Sequence, residues 1–494
     1  MNAQNSSARR RFRRIGLCGR LLLLVACALA PLLHVAAQSA PEPQREELLN
    51  GLRVLFWQRP SDQQVFIKLR VHSGAAFDTA GKEGLMALLG DSLFPDPSTR
   101  EDVLEELGGR LDVTTNFDSI DVTLAGRASD FERLLELLRN AILTPQLSAD
   151  VVARLRDARI KTVREISVAP ATMADRAIAT RLFGAFPYGR TVAGLPESLA
   201  RIDRADLRLA RERFFNPNNA TLVVIGGLEP VRVRRVLRQF LGAWRKSDKD
   251  VPATFRLADA PDARTLLVNI AGMPDAEVRL AVRGLARSDR DSAAARVLAV
   301  LVRERWLKSL PELKGRPFFV THQAYSLPGD FRLGASVPTA LAAQALERGR
   351  AAIQSLASAP PNASELEFAR KEVVATLNAA TDPTQNTADE WLNAQTYKTS
   401  TTDEIRAIDA LTPADVQRVA ARLFRDAAVA AVAVGDVAQL QASMGRAGEF
   451  EVLGAQTGAS AAPRPVAAPT TAPTTTTTTT TAPPNPNAAT PKRP

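Results

Sequence analysis

Apolar residues along this chain follow two periods that alternate in a fixed order. Leu52-Arg-Val-Leu-Phe-Trp57, opened by Asn50-Gly51, and Val65-Phe-Ile-Lys-Leu-Arg-Val71 read as strands. Leu85, Leu88, Leu89 and Leu93 then fall at helical spacing, bracketed by Gly81 and by Pro95-Asp-Pro97. The pattern predicts a helix over 101–107 that stops at Gly108-Gly109. Between Leu111 and Leu124 strict alternation returns. Leu111, Val113, Thr115 and Phe117 lie in one phase, and Ile120, Val122 and Leu124 in the other, so a bulge or short turn is expected near Asp118-Ser119. Helices are expected over 129–142, 148–166 and 205–215, a loop over 182–189, and a strand over 220–225. The later chain adds a strand at Thr265-Leu-Leu-Val-Asn-Ile270, a helix at 292–308 and a long helix opened by Ser364.

One unit occurs twice. Ile202-Asp-Arg-Ala-Asp-Leu-Arg-Leu-Ala-Arg-Glu-Arg-Phe214 recurs as Leu411-Thr-Pro-Ala-Asp-Val-Gln-Arg-Val-Ala-Ala-Arg-Leu423. Asp206 maps to Asp415 and Gly226 to Gly435 at one constant offset of 209 residues. Each copy is a capped helix, an apolar strand and a glycine turn. Gap-free register across all three implies two similar domains, so the fold expected is α+β: two homologous halves, each a mostly antiparallel sheet with helices packed on it, closed like a clamshell. The boundaries read as 46–247 for the first domain, 248–264 for a linker holding Pro252 and Pro261, and 265–448 for the second.

The ends differ from this body. Of the net charge of +10, six arginines (Arg9, Arg10, Arg11, Arg13, Arg14 and Arg20) lie in residues 1–37, which hold no acid. The remainder is +4 and gives no argument for nucleic acid. Residues 1–37 form a basic region, an apolar run from Leu21 to Leu33 and a small-residue site at Val35-Ala36-Ala37, the pattern of a secretory signal before Gln38. A periplasmic protein is therefore expected. Leu24-Val-Ala-Cys27 also resembles a lipobox, although apolar residues continue past Cys27, and Arg9-Arg10-Arg11-Phe12 weakly resembles a twin-arginine signal. Both cysteines, Cys18 and Cys27, lie in this leader, so the body has neither disulfide nor thiolate site. From about Gly454 to 494 the chain is Ala, Pro and Thr, a composition expected to stay disordered.

The stretch Gly84-Leu-Met-Ala-Leu-Leu-Gly-Asp-Ser-Leu-Phe94 resembles the motif helix of the insulinase/pitrilysin family of zinc peptidases, which reads roughly Gly-Leu-Ala-His-Phe-Leu-Glu-His-Met-Leu-Phe. Gly84, Leu85, Leu89, Leu93 and Phe94 match. Ala87 stands where the family has its first zinc histidine, Gly90 where it has the general-base glutamate, and Asp91 where it has the second histidine. The resemblance continues in Leu104-Glu-Glu-Leu-Gly-Gly-Arg-Leu111, Phe183-Gly-Ala-Phe-Pro-Tyr-Gly189 and Phe215-Asn-Pro-Asn-Asn-Ala-Thr-Leu-Val-Val224. It implies a third ligand position at Glu165, in Thr162-Val-Arg-Glu-Ile166. It also implies an Arg/Tyr pair, seven residues apart, that holds the substrate backbone. In the corresponding region, Arg303–Val320, the Tyr position falls near Phe318-Phe319 and the Arg position on Pro311 and Glu312. Phenylalanine cannot donate the missing hydroxyl.

The missing chemistry also follows from the residues themselves. A two-His helical zinc site needs two imidazoles one turn apart, with a carboxylate between them to take a proton from the bound water. The chain has three histidines, His34, His72 and His322, and no two lie within one helical turn. No cofactor and no metal is therefore expected, and His72 and His322 read as packed or surface residues. Gly90-Asp-Ser-Leu93 spells the nucleophile block of an esterase family, but Ser92 lies inside the expected helix, and Phe319, not an Asp, stands three residues before His322. The reading is a non-catalytic, insulinase-like periplasmic protein paired with an active zinc-peptidase subunit of the same family, with an unfolded peptide as a further partner. The alternatives are a stand-alone peptide-binding or scaffolding protein and a hydrolase with an unrecognised site. Restoring His, Glu and His at 87, 90 and 91 is expected to be structurally cheap.

Overall fold

The computed structural model describes residues 41–248, 255–256, 259–379, 382–445 and 449–453. The leader with Cys27 and His34, part of the linker, and the Ala/Pro/Thr tail lie outside them. The alternating segments of the first half form six strands: β1 (Gln44–Glu47), β2 (Arg53–Gln58), β3 (Gln64–Val71), β4 (Arg110–Thr115), β5 (Ile120–Arg127) and β6 (Ala220–Gly226). Their helices are α1 (Leu85–Asp91), α2 (Ser98–Glu105), α3 (Phe131–Leu143), α4 (Ala149–Ser167), α5 (Pro170–Phe183), α6 (Pro196–Leu199), α7 (Arg204–Phe214) and α8 (Pro230–Leu241). The second half holds β7 (Thr265–Asn269), β8 (Asp275–Arg283), β9 (Phe318–Gln323), β10 (Asp330–Pro338), β11 (Ala430–Gly435) and β12 (Phe450–Val452). With them come α9 (Ser292–Ser309), α10 (Ala342–Ser358), α11 (Ala363–Asn378), α12 (Pro383–Tyr397), α13 (Thr401–Ala410), α14 (Pro413–Phe424) and α15 (Val437–Met444).

The strand orders, β1-β2-β6-β3-β5-β4 and β12-β7-β11-β8-β10-β9, match from the second strand on, while the edge strands differ, β1 running antiparallel to β2 and β12 parallel to β7. Each sheet is mixed: the β2–β6, β7–β11 and β12–β7 pairs are parallel and the rest antiparallel. The phase change near Asp118 is the turn of the β4–β5 hairpin, where Thr115 faces Ile120. The repeated unit appears as α7–β6 and α14–β11. Both helices carry the same reciprocal cap, Asp203 with Asp206 and Thr412 with Asp415. The second sheet runs past 448, since β12 adds an edge strand beside β7. The cap of α11 is Asn362, with Glu365 reaching back to it, and Ser364 only donates to the Asn362 side chain.

One face of each sheet packs on helices of its own half. The first core joins Ile67, Leu69 and Leu222 to α1, α3 and α7. The second joins Val278, Leu280 and Leu333 to α9, α10 and α14. The opposite faces are covered by exchange. Helix α5 of the first half lies on β7, β8 and β11, with Ala174, Ile178 and Leu182 against Leu266, Ala281 and Val432. Helix α12 of the second half lies on the first sheet, with Ala388, Trp391 and Leu392 against Leu55, Phe66 and Val223. Ala174 and Ala388, Asp175 and Asp389, and Ile178 and Leu392 correspond at one offset of 214 residues. Each sheet offers the visiting helix a buried cation: Arg279 meets Asp175 at 2.6 Å, and Lys68 meets Asp389. Such pairs add little net stability, but removing one partner leaves a buried charge, so they fix register.

Candidate functional site

Helix α1 is held at its start by two devices. Gly84, its N-cap, has φ 92°. A Cβ there would meet Gly194 Cα at 2.8 Å, so two glycines lie backbone to backbone and a larger residue at either would part them. The free N–H groups of the first turn are capped from outside the helix. The Asp78 carboxylate accepts from Gly84 N–H at 2.7 Å and from Met86 N–H at 2.8 Å. Burial pushes Asp78 up to about 7, against the pull of those two N–H groups. Asp78 stands six residues before the N-cap, outside the spacing of a local capping motif, which is why sequence pattern alone does not disclose it.

Ala87 is 2% exposed and Gly90 is buried. Gly90 faces β4: a Cβ there would lie 2.8 Å from Thr115 Oγ1. The general-base position therefore abuts a strand, and the expectation that the motif can be restored cheaply is corrected by this contact. Asp91 turns toward α4. Its carboxylate accepts from Arg159 Nε at 2.7 Å, while the same guanidinium donates to the Ala87 carbonyl at 3.3 Å. Desolvation raises Asp91, and the Arg159 charge works against it. One arginine thus spans the backbone of the first histidine position and the side chain of the second.

Glu165 does not join this group. It is exposed, while α4 turns Ala158, Arg159, Thr162 and Val163 to the groove that holds Asp91. Six residues of helix rotate Glu165 about 120° away from Arg159. Spacing along the chain places Glu165 at the ligand position, but helical phase gives that place to Ala158 and Arg159. Arg159 carries its own sequence signal, since it interrupts the stripe Leu155, Ala158, Thr162, Val163 and Ile166, and a half-buried cation within an apolar stripe needs a partner.

These residues do not fit a zinc ion. Ala87 and Gly90 offer no donor atom, and Asp91 is engaged by a cation. Among the described residues no group of three or more His, Cys, Asp or Glu side chains is placed to hold a metal. Ser92 is 1% exposed and donates its hydroxyl to the Leu89 carbonyl at 2.7 Å. His322 accepts from Leu285 N–H through Nε2 at 3.0 Å, and burial lowers it to about 4. His72 contacts Thr221 at 2.9 Å and Thr396 at 3.3 Å, and burial, then the Arg70 charge, lower it to about 4. Both are neutral packing residues, and among the described residues neither His72 nor His322 is hydrogen-bonded to Ser92.

Among the described residues of the second half no Arg stands seven residues before a Tyr, since Phe318 and Glu390 hold those places; Arg287 lies instead over the Tyr397 ring, 4.7 Å from its centroid. Phe318 and Phe319 open β9, with the Arg279 guanidinium 5.2 Å from the Phe319 ring, and Pro311 and Glu312 are exposed in a short turn. The chain's three tyrosines, Tyr188, Tyr325 and Tyr397, gather instead where the halves meet. Buried Asp118 accepts from Tyr397 Oη at 2.9 Å, from Tyr188 Oη at 3.3 Å and from Ser326 N–H at 2.9 Å. The Tyr325 ring lies 4.7 Å from that of Tyr188.

Comparison with known proteins places this architecture. Residues 53–194 match the family model described as insulinase (peptidase family M16), and residues 201–373 match the M16 inactive domain. The chain is 23% identical over 278 residues to the probable mitochondrial-processing peptidase subunit beta of Arabidopsis thaliana, covering 54% of this chain and 52% of that one. It is 22% identical over 274 residues to cytochrome b-c1 complex subunit 1 of Bos taurus, covering 54% and 56%. The chain thus spans about half the length of the curated relatives it matches. In fold it is similar to a protease from Helicobacter pylori (TM-score 0.72, 18% identity, 80% of this chain and 100% of that one). It is likewise similar to an M16 inactive domain from Pseudomonas fluorescens (TM-score 0.70, 18% identity, 80% and 98%). With two matching models that together span most of both halves, and with the duplicated sheets and motif helix to account for them, the chain belongs to the insulinase (M16) peptidase family.

Proposed function

We propose that this protein is a non-catalytic member of the family that works as the partner subunit of an active zinc peptidase, in the periplasm. The observation that carries the reading is the Asp91–Arg159 pair, which ties up the remains of the motif helix while Ala87 and Gly90 supply nothing. The helix is retained as scaffold, capped by Asp78 and packed on β4, so its preservation serves shape rather than chemistry. Two of the relatives are named as subunits of larger assemblies, which favours partnership over a solitary role. The exchanged helices and the Asp118 junction give a preassembled two-half body to set against a second clamshell.

The test is reconstitution. The full chain is mixed with a family member that carries an intact His-x-x-Glu-His helix, taken from a neighbouring reading frame, and run on a sizing column. A stable complex that cleaves an unfolded peptide faster than the active chain alone is expected. Separate elution with unchanged cleavage would refute the partner role.

A further inference from the structure

Strand β3 meets the visiting helix α12 through three polar rungs. Lys68, Arg70 and His72 alternate along the strand, and Asp389, Asn393 and Thr396 follow one face of the helix. Lys68 donates to Asp389, Arg70 Nη1 donates to Asn393 Oδ1 at 2.9 Å, and His72 Nδ1 lies 3.3 Å from Thr396 Oγ1. Hydrogen-bond accounting fixes the state of the imidazole. Thr396 gives its one hydroxyl hydrogen to the Leu392 carbonyl at 2.8 Å, so His72 donates to it through Nδ1–H. Nε2 is then the acceptor and takes the Thr221 hydroxyl at 2.9 Å. A proton on Nε2 would turn that contact round. Thr221 is fully buried, and among the described residues its hydroxyl has no other partner, so its hydrogen would be left without an acceptor.

The charges act in the same sense. His72 is faced by Arg70 on its own strand, Arg53 on β2 and Lys398 just past α12, against Asp121 on β5. Asp121 is already held by Arg70 at 2.7 Å, and Asp389 by Lys68. Lys398 also closes α12 at φ 59°, a left-handed backbone disfavoured for a residue with a side chain.

We propose that α12 is an acid-released strap: a proton on His72 lifts it from the first sheet, uncovering Leu55, Phe66 and Val223 and parting Tyr397 from Asp118. The ring reaches water only when the helix leaves. A docked His72 refuses a proton that an uncovered one accepts, so the docked state keeps its full advantage above 6.5 and loses it as pH falls towards about 4. Helix α5, the counterpart on the second sheet, has no such trigger. Its rung is Arg279 with Asp175, and β8 carries no histidine.

Hydrogen exchange of the full chain, followed by mass spectrometry at steps from about pH 7 to about pH 4 and corrected for intrinsic rates, compares residues 383–397 with 170–183. The opening constant of α12 should rise by up to about tenfold per pH unit below 6.5, the weight of one linked proton, while α5 opens later. His72→Gln and His72→Asn keep a neutral polar side chain at the contact and should flatten that rise. Asp389→Asn should open α12 further at every pH and leave the slope in place, which separates the trigger from a contact that only holds the helix. Helices α12 and α5 opening together in the parent would overturn the proposal, whether or not the variants fold. So would a rise unchanged in both His72 variants, or a slope lost with Asp389→Asn, which would make that carboxylate the titrating group.

Discussion

Replacing Gly90 with alanine tests why the general-base position is empty. An added Cβ would stand 2.8 Å from Thr115 Oγ1, with Val113 Cγ1 at 3.5 Å and Ile120 Cγ2 at 3.7 Å. Only the first is a clash, and the atom cannot swing far because Thr115 is β-branched and sits on β4. Alanine gains about 1 kcal/mol of helix propensity over glycine. Overpacking a buried contact of this kind costs roughly 1–3 kcal/mol. The net expectation is a loss of roughly 0–2 kcal/mol, combining those two ranges. Thr115→Ala removes Oγ1 and leaves ordinary contacts, so in that background Gly90→Ala should stabilise by about 1 kcal/mol. Urea unfolding of the four proteins, followed by tryptophan fluorescence, reads both numbers and their coupling. A Gly90→Ala variant that is more stable than the parent, or that costs as much with Thr115→Ala as without it, would refute the packing argument. By the same contact the family's glutamate would press a carboxylate toward β4.

Further outcomes follow from the same geometry. Arg159→Gln should cost less than about 1 kcal/mol, since Asp91 is partly exposed and the pair is solvent-screened, and thermal melts will read it. Asp118→Ala removes the acceptor for two tyrosine hydroxyls and one backbone N–H, and should cost about 2–4 kcal/mol while raising hydrogen exchange where the halves meet. His322 is held at about 4 when folded, against 6.5 when free, so between those values the unfolded chain binds a proton that the folded chain refuses. His322 therefore contributes a fall in stability as pH falls from 6.5 towards 4, by up to about 1.4 kcal/mol per pH unit. His72 adds the same sign, and Asp78, raised to about 7, opposes it, so His322→Asn should change the parent's slope by that one contribution in denaturation curves taken across the window. A Ala87→His/Gly90→Glu/Asp91→His variant should take up zinc less well than one that also carries Arg159→Glu, because Glu165 faces away. Equal uptake by metal titration would restore Glu165 to the ligand role.

The elements legible in the sequence are those whose apolar pattern answers to a partner in their own half. Strands β2, β3, β6 and β7 and helices α3, α4, α7 and α9 lie where periodicity predicts them, and the α7–β6 repeat anticipates the matching sheet orders. Helices α5 and α12 escape the pattern. Each opens on a proline and buries a narrow stripe, Ala174, Ile178 and Leu182 or Ala388, Trp391 and Leu392, against the sheet of the opposite half. Nothing local in 170–183 or 383–397 names that distant surface. At the site, residue types suffice to find the missing ligands, since Ala87 and Gly90 have nothing to offer. The replacement contact is not legible, because spacing alone points to Glu165 and only the rotation of α4 presents Arg159. Asp78 escapes for a similar reason, its cap being made through a loop rather than at fixed offset.

The central claim is that the motif helix survives as scaffold while its zinc chemistry is gone. Elemental analysis of the purified full chain after incubation with excess zinc and desalting, paired with cleavage of an unfolded peptide with and without a chelator, tests it most directly. The account predicts no stoichiometric zinc and no chelator-sensitive cleavage. One tightly held zinc per chain, or peptide cleavage that survives purification to homogeneity and is abolished by the chelator, would contradict it.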